Sequence, residues 1–198
     1  MRTWIIGSTS DYSKAVADRC VGVTKFGRSN IDYDSSFDRF IKKQKYAPNW
    51  IFINLGVEEA LSIATDSPDG DYRGMLNDFS KTWLWKLRLY SWLYKSKIRC
   101  TVCDVTSTIT MWPQDHRENM SYAILRAIGQ QTAMAHNTSK LKIFQVSPNG
   151  LTPERVDEYA DKTVSWMGDP DYAVNSIVDL SNDSLVGKRR FRIEWADE

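Results

Sequence analysis

The segment at 50–54, WIFIN, is a continuous apolar run closing on Asn54, set between Pro48-Asn49 and Gly56. An unbroken short run of this kind is typical of a strand buried on both faces of a parallel sheet. Similar runs recur at 2–6, 21–26, 98–105 and 141–146, with shorter candidates at 31–34 and 189–195. Between them lie segments with helical spacing, at 12–19, from Phe37 after Ser35-Ser36, and at 72–95, 121–136, 153–166 and 172–180. Strands alternating with helices of roughly 10–15 residues predict an α/β chain: a doubly wound parallel sheet of about seven strands in three layers, α/β/α.

The 198 residues, 42% of them hydrophobic, suffice for one domain spanning 1–198. Twenty-six basic against 25 acidic residues leave a net charge of +1, so no global field recruits nucleic acid or an anionic membrane. Neither is expected as a partner. Cys100 and Cys103 have C-x-x-C spacing but fall inside an expected strand, with Cys20 the one other cysteine and His116 and His136 the only histidines. A zinc centre needs about four ligands, so these read as buried thiols, no metal is expected, and a reducing compartment is implied. The apolar run of the opening MRTWIIG is shorter than a signal-peptide core, and no stretch approaches the roughly 20 apolar residues of a membrane span. A cytoplasmic protein is expected.

The 72–95 helix carries two apolar stripes: Phe79, Trp83, Leu87, Tyr90 and Tyr94, and beside it Trp85, Leu89 and Trp92. One can cover the sheet. The second predicts packing on the chain's own 121–136 helix or on another subunit.

Ligands of a doubly wound sheet sit beyond the carboxyl ends of its strands. The residues there are Gly7, Ser8, Thr9 and Ser10; Gly27 and Arg28; Asp32 and Asp34; Asn54 and Gly56; Thr106 and Ser107; Ser147 and Pro148. The turn from Gly7 to Ser13 can offer backbone N–H groups to a phosphate, although a serine-rich helix cap has the same appearance. Tyr122 and Arg126 stand four apart on one helix face. A cation beside a phenol favours the phenolate, which suits general acid/base work, and nearby hydroxyls can bind a carbonyl oxygen. A core tyrosine beside a solvated arginine fits the same spacing.

Taken in order, these segments resemble the short-chain dehydrogenase/reductase family. IIGSTSDYSKAVA resembles its strand, glycine turn and helix; INLG at 53–56 its Asn-Ala-Gly strand end; VCDVTS at 102–107 its strand ending in the catalytic serine. SYAILRA at 121–127 resembles its Tyr-x-x-x-Lys helix, LKIFQVSPNGLT at 141–152 its strand ending in Ser-Pro-Gly, and LVGKRRFRI its closing strand. The resemblance implies a Rossmann-like fold and an NADP- or NAD-dependent oxidoreductase acting on a small carbonyl or alcohol substrate. It makes Tyr122 the acid/base, Ser107 the carbonyl-orienting hydroxyl and Arg126 the cation that tunes Tyr122. Asn54, Gly56 and Pro148 would line the dinucleotide, with Thr152 at its nicotinamide end. A homo-oligomer through the 72–95 and 121–136 helices is also expected.

The chain departs from that pattern in several places. Asp11 and Ser13 occupy the positions of the second and third glycines, where a Cβ obstructs approach to a pyrophosphate and a carboxylate repels it. Arg126 replaces the lysine, keeping the charge but exchanging an ammonium for a planar fork. Ser107 and Tyr122 lie about two residues further apart than usual, and Asn77 is the nearest residue to the family's helix-borne asparagine. Lys25 and Arg28, rather than an acid, end the second strand, which favours NADP. These departures frame an alternative: a non-catalytic Rossmann-fold pseudoenzyme serving as a binding or structural subunit.

Overall fold

In a computed structural model, the structure describes residues 1–27, 37–44, 46–55, 82–107 and 120–186, with 120–125 described by backbone alone. Among the described residues, six strands run parallel: β1 (Thr3–Ile6), β2 (Val23–Phe26), β3 (Trp50–Ile53), β4 (Cys100–Val105), β5 (Leu141–Ser147) and β6 (Ile177–Asp179). A seventh, β7 (Ser184–Val186), pairs antiparallel with β6, and the sheet order is β2-β1-β3-β4-β5-β6-β7. The helices are α1 (Asp11–Asp18), α2 (Phe37–Lys42), α3 (Leu84–Ser96), α4 (Met120–His136) and, after a 3-10 turn at Pro153–Arg155, α5 (Val156–Gly168).

Side chains alternate across the strands, and both faces are buried. Trp4, Ile6, Ile51, Ile53, Val102 and Ile143 pack with Phe37, Phe40, Trp85, Leu89, Tyr90 and Leu93 on one side. Ile5, Phe52, Cys103, Phe144 and Val146 pack with Tyr12, Val16, Tyr159, Ala160 and Met167 of α1 and α5 on the other. This is the three-layer α/β/α arrangement that the unbroken apolar runs predict. Cys100 and Cys103 fall on opposite faces of β4 and so cannot share a ligand. Arg19 clips α1 to α5 through Asp157 and Asp161.

α3 sits differently from its two expected stripes. Trp83, Trp85, Lys86, Leu89, Tyr90 and Leu93 are buried, whereas Leu84, Leu87 and Tyr94 are exposed. Trp85 meets Phe37 and Phe40 edge-on, and Trp83 lies against Gly129 of α4, where any Cβ would run into the indole ring. These aromatic contacts set the helix's rotation, so the buried face draws on both expected stripes, Trp83 and Tyr90 from the first and Trp85 and Leu89 from the second, while Leu87 and Tyr94 of the first are left exposed.

The helix expected at 172–180 is not one. Residues 171–175 form turns, Asn175 takes a left-handed φ of 65°, and the β-branched run that follows becomes β6, bonded to β5. The burial of Ile177 and Val178 in the sheet overrides the apparent helical spacing. Residues 31–34, 72–81 and 189–195 lie outside the described residues.

Candidate active site at the carboxyl edge of the sheet

The carboxyl ends of the parallel strands share one edge: Ile6 is level with Phe26 and Ile53, Val105 with Val146, and Ser147 with Asp179. Between β1 and β3 the strand order reverses, which is the switch point where a doubly wound sheet opens a crevice. Gly7 and Asn54 flank that point. Gly7 has φ +79°, and a Cβ on it would run into the Asn54 carbonyl oxygen, so both backbone conformation and space require glycine. The Gly7 and Ser8 N–H groups donate to the Phe26 carbonyl, tying the turn to β2 rather than leaving those donors for a ligand.

Thr9 is exposed, and Ser10 caps α1 by accepting the Ser13 N–H at 3.1 Å. The N–H groups of Asp11 and Tyr12, as first-turn positions, have no intrahelical acceptor. The Asn54 side-chain amide donates to Ser10 Oγ at 3.0 Å and to Ser13 Oγ at 3.1 Å. Ser13 is fully buried. Its side chain is thus turned inward, onto Ser10 and Asn54. Asp11 points to solvent, with its side chain 84% exposed, and pairs with Lys14 at 2.8 Å. That hydrogen bond and charge hold the Asp11 carboxyl below its ordinary range.

At the end of β4, Thr106 is buried and bonded through its N–H to Val146, and Ser107 is half-buried at the edge. Arg126, expected as the cation beside Tyr122, is buried and donates from Nη1 to the Val105 carbonyl at 2.8 Å. Its solvated alternative is therefore corrected: the guanidinium lies under the strand end. The Tyr122 side chain, Arg28 and Gly56 lie outside the described residues. Beyond β5, Ser147 Oγ donates to the Asn149 side chain, and Tyr159 OH donates to the Asn149 carbonyl at 2.9 Å. These bonds shape the loop carrying Pro148. Thr152 is exposed and precedes the 3-10 turn.

One buried cluster escaped the reading of the sequence. Lys86 on α3 donates to Asp104 Oδ1 at 2.7 Å, Tyr90 OH donates to Asp104 Oδ2 at 3.0 Å, and all three residues have 0% exposure. The Lys86 ammonium also sits 4.0 Å from the centre of the Trp83 ring. Burial lowers the Lys86 pKa to about 8 against the raising effect of Asp104, with the Arg126 charge adding to the drop. Burial and the Asp104 carboxylate push the Tyr90 phenol well up. A signal was present in Asp104, a carboxylate in the middle of an apolar strand, which needs a buried partner.

Known structures share this architecture. The chain is similar to a carbonyl reductase from Pseudomonas aeruginosa PAO1, with a TM-score of 0.72 at 13% identity over 94% of this chain and 99% of that one. The carbonyl reductase in complex with NADP matches with a TM-score of 0.70 at 14% identity, over 92% of this chain and 98% of that one. The fold is that of the short-chain dehydrogenases/reductases. An oxidoreductase of that family from Brucella ovis, in complex with a partially ordered NAD, matches with a TM-score of 0.65 at 13% identity over 90% of this chain and 98% of that one. No protein-family model and no curated protein matches the sequence. At such identities the likeness is one of fold. Among the described residues, no helix is long and apolar enough to cross a membrane.

Proposed function

We propose that the chain is a divergent, single-domain NAD(P)-dependent oxidoreductase of the short-chain dehydrogenase/reductase family, acting on a small carbonyl or alcohol in the cytoplasm. The observation that carries this reading is the turn at the switch point, where Gly7 at positive φ leads directly into the N-terminus of α1. A bound nicotinamide would supply or accept the hydride at the substrate carbon. Tyr122 gives its phenolic proton to the oxygen as the carbonyl becomes an alcohol, and takes it back in the reverse direction. Ser107 orients that oxygen, and Arg126, one helical turn from Tyr122, favours the phenolate. A bound dinucleotide would have its phosphates against Gly7, Ser8, Thr9 and Ser10, where Gly7 and Ser8 shape the turn and do not supply free N–H donors. Asn54, Gly56 and Pro148 would line it, Thr152 would lie at its nicotinamide end, and Arg28 would favour NADP. A second copy of the chain covers the exposed Leu84, Leu87 and Tyr94 of α3 and Ile128 of α4.

NADPH consumption with a panel of aldehydes and ketones tests this reading. Turnover is expected, and Tyr122→Phe should reduce it by about a hundredfold or more with NADPH affinity nearly unchanged. Turnover retained in that variant removes Tyr122 from its role. One observation favours a second reading, a non-catalytic pseudoenzyme: Arg126 spends an N–H on the Val105 carbonyl below the edge. On that reading the assay gives no turnover with any substrate.

A further inference from the structure

The turn between β1 and α1 lacks two glycines, yet each replacement has a partner from this chain. Ser13 Oγ takes hydrogen bonds from Ser10 Oγ at 2.9 Å and from the Asn54 amide at 3.1 Å, and the side chain is wholly buried. The Asp11 carboxylate, placed where it would repel a phosphate at the first turn of α1, is held by Lys14 one turn along the same helix. Asn54 reaches the turn from the end of β3 because the Asn54 N–H is itself fixed on the Ile6 carbonyl at 2.8 Å. The amide is thus positioned by the sheet and not by a mobile loop.

We propose that Asn54 and Lys14 offset the two lost glycines: Asn54 keeps the Ser13 side chain off the ligand face, and Lys14 draws the Asp11 carboxylate away from a dinucleotide phosphate. The inference rests on the oxidoreductase reading and assigns both residues a positioning role at its cofactor turn. A carboxylate near an anionic ligand opposes binding, and a neighbouring ammonium cancels much of that field even in water. A hydroxyl satisfied on two sides has no reason to turn outward.

Dissociation constants for NADPH, measured by tryptophan quenching on the full chain, test the two couplings. Asp11→Asn should tighten binding and Lys14→Met weaken it, each by about threefold or more, with the double variant matching Asp11→Asn. If Lys14→Met weakens binding equally in the Asp11→Asn background, Lys14 acts on the ligand directly and the Lys14 role is overturned. If the wild type fails to bind while Asp11→Asn binds, the offset is overturned as well. The Asn54 role has a readout that needs no cofactor. Asn54→Ala and Ser13→Ala should lower the melting temperature non-additively, because either change removes the same bond; additive losses overturn it. Non-additive losses in a chain whose every variant ignores NADPH and NADH would support the hold on Ser13 and sink the oxidoreductase reading.

Discussion

Two ion pairs of nearly equal length stand at opposite ends of the energy scale. Asp11 and Lys14 meet at 2.8 Å with side chains 84% and 55% exposed; Lys86 and Asp104 meet at 2.7 Å with side chains 1% and 0% exposed. Water screens the first, which can shift ligand affinity while contributing little to folding. The second has lost its hydration, so each partner depends on the other. Distance does not distinguish the two pairs; burial does. The lesson extends to function: the exposed pair can tune a site, whereas the buried one holds α3 against β4, just before Thr106 and Ser107.

The largest expected effect breaks the buried pair. Lys86→Met or Asp104→Leu alone should cost about 3–5 kcal/mol by leaving an unpaired buried charge, and the double variant should recover most of that loss. Urea unfolding reads all three, and a double variant as unstable as the singles would contradict the assignment. Gly129→Ala tests the packing beside that pair. Its new methyl meets the Trp83 ring, so a loss of about 1–3 kcal/mol is expected, and it should shrink when Trp83 is already replaced by Leu.

The smallest effect belongs to the exposed pair. The Asp11 carboxyl lies below its ordinary 3.8, so its pairing is present above that value and lost as pH falls through the lowered midpoint. Lys14→Met should return the midpoint upward towards 3.8 in a carboxyl NMR titration, with almost no change in stability. An unmoved midpoint would show that the pair does not persist in solution.

Much of the architecture was legible because burial on both faces leaves an unbroken signature. WIFI became β3, and the runs around 100–105 and 141–147 became β4 and β5 within a residue or two. The 172–180 segment was not legible, since short apolar runs fit either period until the neighbouring strand accepts their bonds. Lys86 was hidden for a related reason: a lysine on an amphipathic helix reads as surface unless its carboxylate, 18 residues away on a strand, is seen to face it. At the site, glycine positions and strand ends were readable from spacing. The direction of the Ser13 side chain was not, because the cause lies in Asn54, 41 residues on.

The central proposal is that the turn from Gly7 to Ser13 holds a dinucleotide, with Asp11 and Ser13 standing where the short-chain dehydrogenase/reductase pattern has glycines. Titration of the unmodified chain with NADPH and NADH, followed by tryptophan fluorescence and melting temperature, tests it most directly. The account predicts saturable quenching and a raised melting temperature, with NADPH the tighter ligand. Absence of both responses at millimolar concentrations of either nucleotide would contradict it.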